Sequence, residues 1–304
     1  MARFLAGFLV VGFAAWVLMP VANAQQETTK KLQDLVAKFP TPAQRDGKLA
    51  DVDKKATDAA ISEFLQEPTT SMVGLVNLLS TKGGDVQVRH AIHAVVMRVG
   101  SKKNAKLRRV TAKALASTLN GDRAKPIQRF VVQQLQLVGT AEETGALGKL
   151  LLDPELAGPA AQALLSIKTD AATQFRMALP KASGKQRALI VHGLGALKDK
   201  KAATMLRAVL DDRDRDTRLT AAWALANLAD ANSAERLIQL ADAAKGYERA
   251  KATDSCFLLA ENLIASGNPT VARQIYSHLQ QSRSSAAERY VRETAARGLA
   301  KVKK

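Results

Sequence analysis

Cysteine is nearly absent from this 304-residue chain, where Cys256 stands alone. No internal disulfide can form, so the fold must be held by packing. Aromatic residues make up only 4% of the chain, and beyond residue 24 Trp223 is the single tryptophan. Runs alternating apolar and polar residues with the period of a strand are also missing, which argues against a sheet-based core. There is no Cys-x-x-Cys-His haem attachment, phosphate loop, Gly-x-Ser-x-Gly elbow, dinucleotide fingerprint or His-Glu-x-x-His pair. No motif therefore points to an enzyme, a metal or a cofactor. Acids are scarce: 28 against 45 basic residues, a net charge of +17. Such an excess favours attraction to polyanions or negatively charged surfaces and says nothing about the fold.

The first residues read as a leader. Arg3 makes a short positive region, residues 4–19 an apolar run, and Ala22, Asn23 and Ala24 a small-residue cleavage site. Cleavage is expected after Ala24, and the location periplasmic or secreted. A retained anchor is the alternative, although the run is short for a span of roughly 20 apolar residues. No cysteine follows the site to carry a lipid, and the mature chain is expected to have no transmembrane segment.

Residues 210–230 show how the rest is organised. A charged turn with Asp211, Asp212, Asp214 and Asp216 leads into a helix that places Leu219, Ala222, Leu225 and Ala226 on one face. One amphipathic helix cannot bury its own stripe, so the pattern makes sense only if copies stack. An arginine followed at the seventh position by an apolar residue recurs from Arg187 to Leu194, Arg218 to Leu225 and Arg292 to Leu299. Arg89 to Val96 and Arg249 to Cys256 are looser copies. Arg187, Arg218 and Arg249 are evenly spaced, with a period of about 31 residues that lies in the range of a solenoid. The pattern predicts helices over residues 25–38 and 46–66, and then pairs: 71–80 with 86–99, 102–119 with 126–138, 142–152 with 156–167, 171–179 with 185–197, 202–210 with 217–229, 233–244 with 248–265, and 270–280 with 286–302.

The phrase from Thr217 to Leu225, Thr-Arg-Leu-Thr-Ala-Ala-Trp-Ala-Leu, preceded by Leu210-Asp211-Asp212, resembles the second helix of a HEAT repeat, particularly the short type also seen in phycobilin lyases. The resemblance covers most of residues 70–302 and is strongest at Arg187, Arg218 and Arg292. It implies an all-α fold, a right-handed superhelix of about seven helix pairs, with the second helix of each pair lining the inner surface. The expected organisation is a leader over 1–24, a helical cap or tether over 25–68 and the repeat array over 69–304. The Trp, Leu-Gly and Tyr pattern of a tetratricopeptide array is not found. Family membership implies architecture and a habit of binding partners, not a reaction.

Counting five residues on from each repeat arginine, with Arg129 included, gives Gln134, His192, Trp223, Asp254 and Arg297 as candidate groove residues, Ala94 being the exception. Trp223 is the natural anchor, and packing between repeats is the competing place for it. The repeat arginines Arg89, Arg187, Arg218 and Arg292 are read as structural. The four aspartates of residues 211–216 lack the central Gly and terminal Glu of a calcium loop and read as helix caps or arginine partners. His90 and His93 share a helix but lack a third ligand, and Cys256 stands where other copies carry Leu, which reads as a buried apolar position. Lys102, Lys106, Arg109 and Lys113 fall at steps of four, three and four, within residues 98–125, which hold nine basic residues and one acid, Asp122. That stripe is either a solvated helix face or a polyanion site. Two functions follow: a non-enzymatic scaffold that holds a protein partner in its concave groove, or a binder of an anionic polymer such as cell-wall material, lipopolysaccharide or extracellular nucleic acid.

Overall fold

The computed structural model describes residues 13–41, 53–119 and 122–302, with residues 13–24 and Lys102 described by their backbone alone. Arg3, the start of the apolar run, Asp46, Leu49, Val52 and Gly121 lie outside the described residues, as does the Lys102 side chain. All regular structure among the described residues is helical. The chain divides into two compact units, Met1–Val138 and Gly139–Lys304.

The first unit holds α1 (Phe13–Val36), α2 (Lys54–Phe64) and two helix pairs, α3 (Pro68–Asn77) with α4 (Val86–Val99) and α5 (Ala105–Ser117) with α6 (Lys125–Val138). The second holds five pairs: α7 (Thr144–Lys149) with α8 (Ala157–Ile167), α9 (Ala171–Ala178) with α10 (Gly184–Ala196), α11 (Ala203–Val209) with α12 (Arg215–Asn227), α13 (Ala234–Ala243) with α14 (Gly246–Ala265), and α15 (Pro269–Ser282) with α16 (Arg289–Val302). The helices pack in sequential pairs, the all-α arrangement of HEAT and armadillo solenoids. In the second unit α8, α10, α12 and α14 lie side by side as one layer, with the first helices of the pairs behind them.

Local chemistry sets the helix ends. The Asp214 side chain accepts from the N–H of Thr217 at 2.7 Å and starts α12. Asp53 does the same for α2, accepting from Lys55 and Ala56, and that helix begins at Lys54; the earlier part of the helix expected over 46–66 lies outside the described residues. Pro68 and Pro269 occupy first-turn positions, where the missing N–H costs little. At the other ends Lys198, Ala229 and Gly267 take left-handed backbone, the first two standing one repeat apart. There the N–H groups of Asp199 and Asp230 reach back to the carbonyls of Leu194 and Leu225. This stop delivers the Asp199 and Asp230 carboxylates to Arg176 and Arg207 of the preceding first helices.

The repeat arginines form a second ladder. Arg187 donates to the carbonyls of Leu179 and Ala182 and pairs with Asp212 at 2.7 Å. Arg218 donates to the carbonyls of Asp212 and Arg213 and pairs with Glu248 at 2.8 Å. Arg249 donates to the carbonyls of Ala241 and Asp242 and pairs with Glu288 at 2.6 Å. Each guanidinium thus bonds carbonyls at or just beyond the end of its own first helix and holds an acid of the next pair. Arg292 donates to the carbonyls of Arg283 and Ser285. Arg89 differs, pairing within its own helix start with Asp85 at 2.8 Å while lying over the Phe130 ring.

Two differences from the sequence reading stand out. The helix expected over residues 25–38 starts earlier, since α1 runs from Phe13 through the Ala22–Ala24 region to Val36. Its second half is anchored by buried Leu32 and Val36. Leu219 is not on the buried stripe with Ala222, Leu225 and Ala226; it is half-buried and faces a pocket. The buried face of α12 is instead Thr217, Ala221, Ala222, Ala224, Leu225 and Ala226. Small residues govern how near its neighbour comes. A Cβ added at Gly195 of α10 would lie 2.7 Å from the Ala224 Cα.

Replacing Leu225 with Ala should therefore cost about 2–5 kcal/mol. Gly195→Ala should cost about 1–3 kcal/mol, because backbone atoms must part. Urea denaturation measures both, and losses below about 1 kcal/mol would mean this helix contact is not made in solution. The acids of the ladder predict a pH response as well. The hydrogen bond from Arg249 holds Glu288 below the usual carboxylate range. Burial pushes Asp85 and Asp242 up, but hydrogen bonds from Arg89 and the Ser80 N–H, and from Arg283 and His278, hold both below their ordinary value. Carboxylates with lowered folded pKa values add stability that is present above the unfolded value of about 4 and lost as pH falls through the folded value. The melting temperature should stay level from about pH 8 to pH 5 and fall below about pH 4; a fall confined to the range above pH 5 would contradict this.

Candidate functional site

Positions one repeat apart on successive second helices come to one face, and a pocket of about 530 Å³ opens there between α10, α12 and α14. His192 comes from α10, Leu219, Thr220 and Trp223 from α12, and Tyr247, Lys251 and Asp254 from α14. Three of the five residues expected in the groove are thereby brought together: His192, Trp223 and Asp254. The His192 and Trp223 rings stack with centroids 4.8 Å apart and planes 4° from parallel. Trp223 is half-buried, so it does both things weighed for it. One edge packs at Gly195, where a Cβ would meet its ring at 2.8 Å, while the side chain also lines the pocket.

Tyr247 is 62% exposed at the pocket rim. Its ring draws the Arg215 guanidinium to 5.7 Å and the Lys251 ammonium to 5.9 Å from the centroid. Lys251 also lies 3.8 Å from Asp254, and Arg215 bonds to Asp216 at 3.2 Å. All four of these charged side chains are at least half exposed, so their pairings are weak and open to exchange with a ligand. The pocket offers an aromatic floor, two leucines and charges of both signs.

The other two expected groove residues are elsewhere. Arg297 is exposed on α16, donates to Thr294, and is not among the pocket residues. Gln134 belongs to the first unit and is buried, its Oε1 lying 3.1 Å from His93 Nδ1. Arg129, from which it was counted, is itself exposed on α6, so a count of five leads inward there. His93 is exposed and His90 half-buried. Cys256 is fully buried, and burial pushes its thiol up to about 12, which keeps it protonated and unreactive. The aspartates of the α12 turn divide their work: Asp214 caps, while Asp212 and Asp211 pair with Arg187 and Arg236 of neighbouring helix pairs. Lys106, Arg109 and Lys113 are all exposed along α5.

Sequence reasoning missed Tyr247 and Lys251. Both were within reach of the period, since they stand one repeat after Asp216 and Thr220. It also missed Arg176 and Arg207, which are one repeat apart and pair with aspartates spaced the same way.

A family model for HEAT repeats matches residues 174–255, which include every pocket residue but Leu258. Residues 174–255 are HEAT repeats. No curated protein matches the chain in sequence. Among solved structures, the complex of CpcE and CpcF of phycocyanin lyase from Nostoc sp. PCC7120 aligns with a TM-score of 0.38 at 15% identity, over 86% of this chain and 98% of that one. Human deoxyhypusine hydroxylase in complex with glycerol aligns with a TM-score of 0.32 at 13% identity, over 91% and 99%. A structure from work on a phosphorylation switch between cadherin and beta-catenin aligns at 0.38 and 12% identity, over 95% and 68%. Similarities this low bring no activity with them.

Acrylamide should quench Trp223 only in part in the HEAT-repeat segment. A quenching constant matching free tryptophan, or complete protection, would contradict a ring that is stacked on one side and open at the pocket. In a chain without residues 1–24 the signal reports on Trp223 alone.

Proposed function

We propose that the protein is a non-enzymatic interaction scaffold of the cell envelope, exported by its leader, and that its HEAT-repeat face holds a partner protein at the His192–Trp223–Asp254 pocket. The observation that carries this reading is the convergence of three side chains from three successive second helices on one aromatic-floored pocket of about 530 Å³. Repeat arrays present extended surfaces of this kind, and an aromatic held by stacking supplies contact area at little entropic cost. Arg3, the apolar run and the Ala22–Ala24 site support export.

The test is a pull-down from envelope extract at low and high salt, comparing the wild type with Thr220→Arg, which fills the pocket from its α12 wall. A partner retained at high salt by the wild type and lost by the variant is the expected result, because a packed interface resists salt where a polyanion contact does not. Equal recovery by both chains would remove the pocket as the site. Recovery of the protein solely from the cytoplasm, with Met1 intact, would remove export.

A further inference from the structure

The first unit carries a charge asymmetry that its fold does not use up. Between Asp85 and Glu142 the sequence holds eleven basic residues and one acid, Asp122. The arginines among them largely serve the structure. Arg89 pairs with Asp85, Arg98 with Asp58, Arg108 donates to the Val138 carbonyl, and Arg123 to the carbonyls of Thr118 and Val76. Lys103, Lys106 and Lys113 make no hydrogen bond or ion pair among the described residues, and Arg109 is exposed beside them. Lys106, Arg109 and Lys113 follow one face of α5 over about 10 Å. No helix packed on α5 answers the lysines, since α3, α4 and α6 contain no acid.

The same unit also has a groove whose polar lining is uncharged. Helix α3 sits between α1 and α5 and touches both. Between α1 and α3 opens a groove of about 650 Å³, where Gln25, Thr28, Thr29, Thr69, Thr70 and Asn77 stand over an apolar base. The exposed residues of α3 are Thr69, Thr70 and Asn77, and those of α5 are Ala105, Lys106, Arg109, Lys113 and Ser117. The helix that carries the groove's threonines therefore packs against the helix that carries the cationic row.

We infer that this α1–α3–α5 face binds an acidic polysaccharide, its sugar hydroxyls hydrogen-bonded in the threonine groove and its acid groups along the α5 row. Two other polyanion classes fit less well. No aromatic ring is exposed on α3 or α5 to stack a nucleobase, the means by which single strands are gripped. No large apolar side chain is exposed there to enter a bilayer, as an interfacial helix requires. The site uses no residue of the His192–Trp223–Asp254 pocket, so either can fail without the other.

Calorimetric titration of the full chain with polygalacturonate, neutral dextran, duplex DNA and phosphatidylglycerol vesicles tests it. Polygalacturonate should bind with an affinity that falls as salt rises, and dextran about tenfold or more weaker. Lys103→Glu/Lys106→Glu/Lys113→Glu should weaken polygalacturonate by about tenfold or more at low salt. Thr69→Ala/Thr70→Ala should weaken it several-fold while leaving any DNA binding unchanged. Circular dichroism should show both variants as helical as the wild type, since the five side chains are exposed. Absence of polygalacturonate binding, DNA or vesicles bound as tightly as the glycan, or a threonine variant without effect would each overturn the inference.

Discussion

A guanidinium near the start of α10, α12 and α14 holds two helix pairs at once, and much of the second unit depends on that arrangement. The last carbonyls of a first helix have no partner within the helix, and carbonyls of the turn that follows need donors as well. Arg187, Arg218 and Arg249 each donate to two such carbonyls and reach on to an acid of the next pair. A long side chain with five donors in a rigid plane can do both, whereas a lysine ammonium cannot span the two directions. At the opposite helix ends Arg176 and Arg207 tie first helices to Asp199 and Asp230, so successive pairs are pinned at both edges. The interior between the edges then needs little beyond small residues. Ala221, Ala222, Ala224 and Gly195 let α10 and α12 approach until a methyl group would collide.

That division of labour bears on function. Pinned edges and close interior packing fix the rotation of each second helix, and rotation decides which side chains reach the open face. His192, Trp223 and Asp254 occupy the same repeat position and so arrive side by side. The residues half a turn away become core. The geometry itself fixes little of what such a face carries, because the structural work is done by arginines and alanines elsewhere. A repeat array can therefore keep its architecture while its exposed positions change to suit a partner.

Charge is apportioned along similar lines. In the first unit the arginines are drawn into caps and pairs, while exposed lysines of α5 are left without acids. An ammonium on a flexible stem is readily solvated and makes a poorer cap, so lysine collects where the fold asks nothing of it. A row of this kind, carried on a helix that packs against the threonine-bearing α3, has a chemical character that net charge alone does not convey.

Helix extents were legible because their signals are local. Val86–Val99 has the limits that the apolar spacing predicts, while α12 begins at Arg215, two residues before the expected Thr217, after the Asp214 cap. The repeat period and its arginines were legible for the same reason, and with them the all-α class. Other features depend on contacts between distant residues. Gln134 and Trp223 stand five residues after an arginine, yet one is buried and the other lines a pocket, because α6 and α12 are rotated by different neighbours. Leu219 lies in the same apolar pattern as Leu225 and still faces outward, since the α12 stripe is narrower than its apolar residues. The sequence by itself determined the helices, their order and their repeat. Only the tertiary structure decided which positions share a pocket, which arginines are spent on carbonyls and which lysines remain free, since each depends on how far neighbouring helices turn and approach.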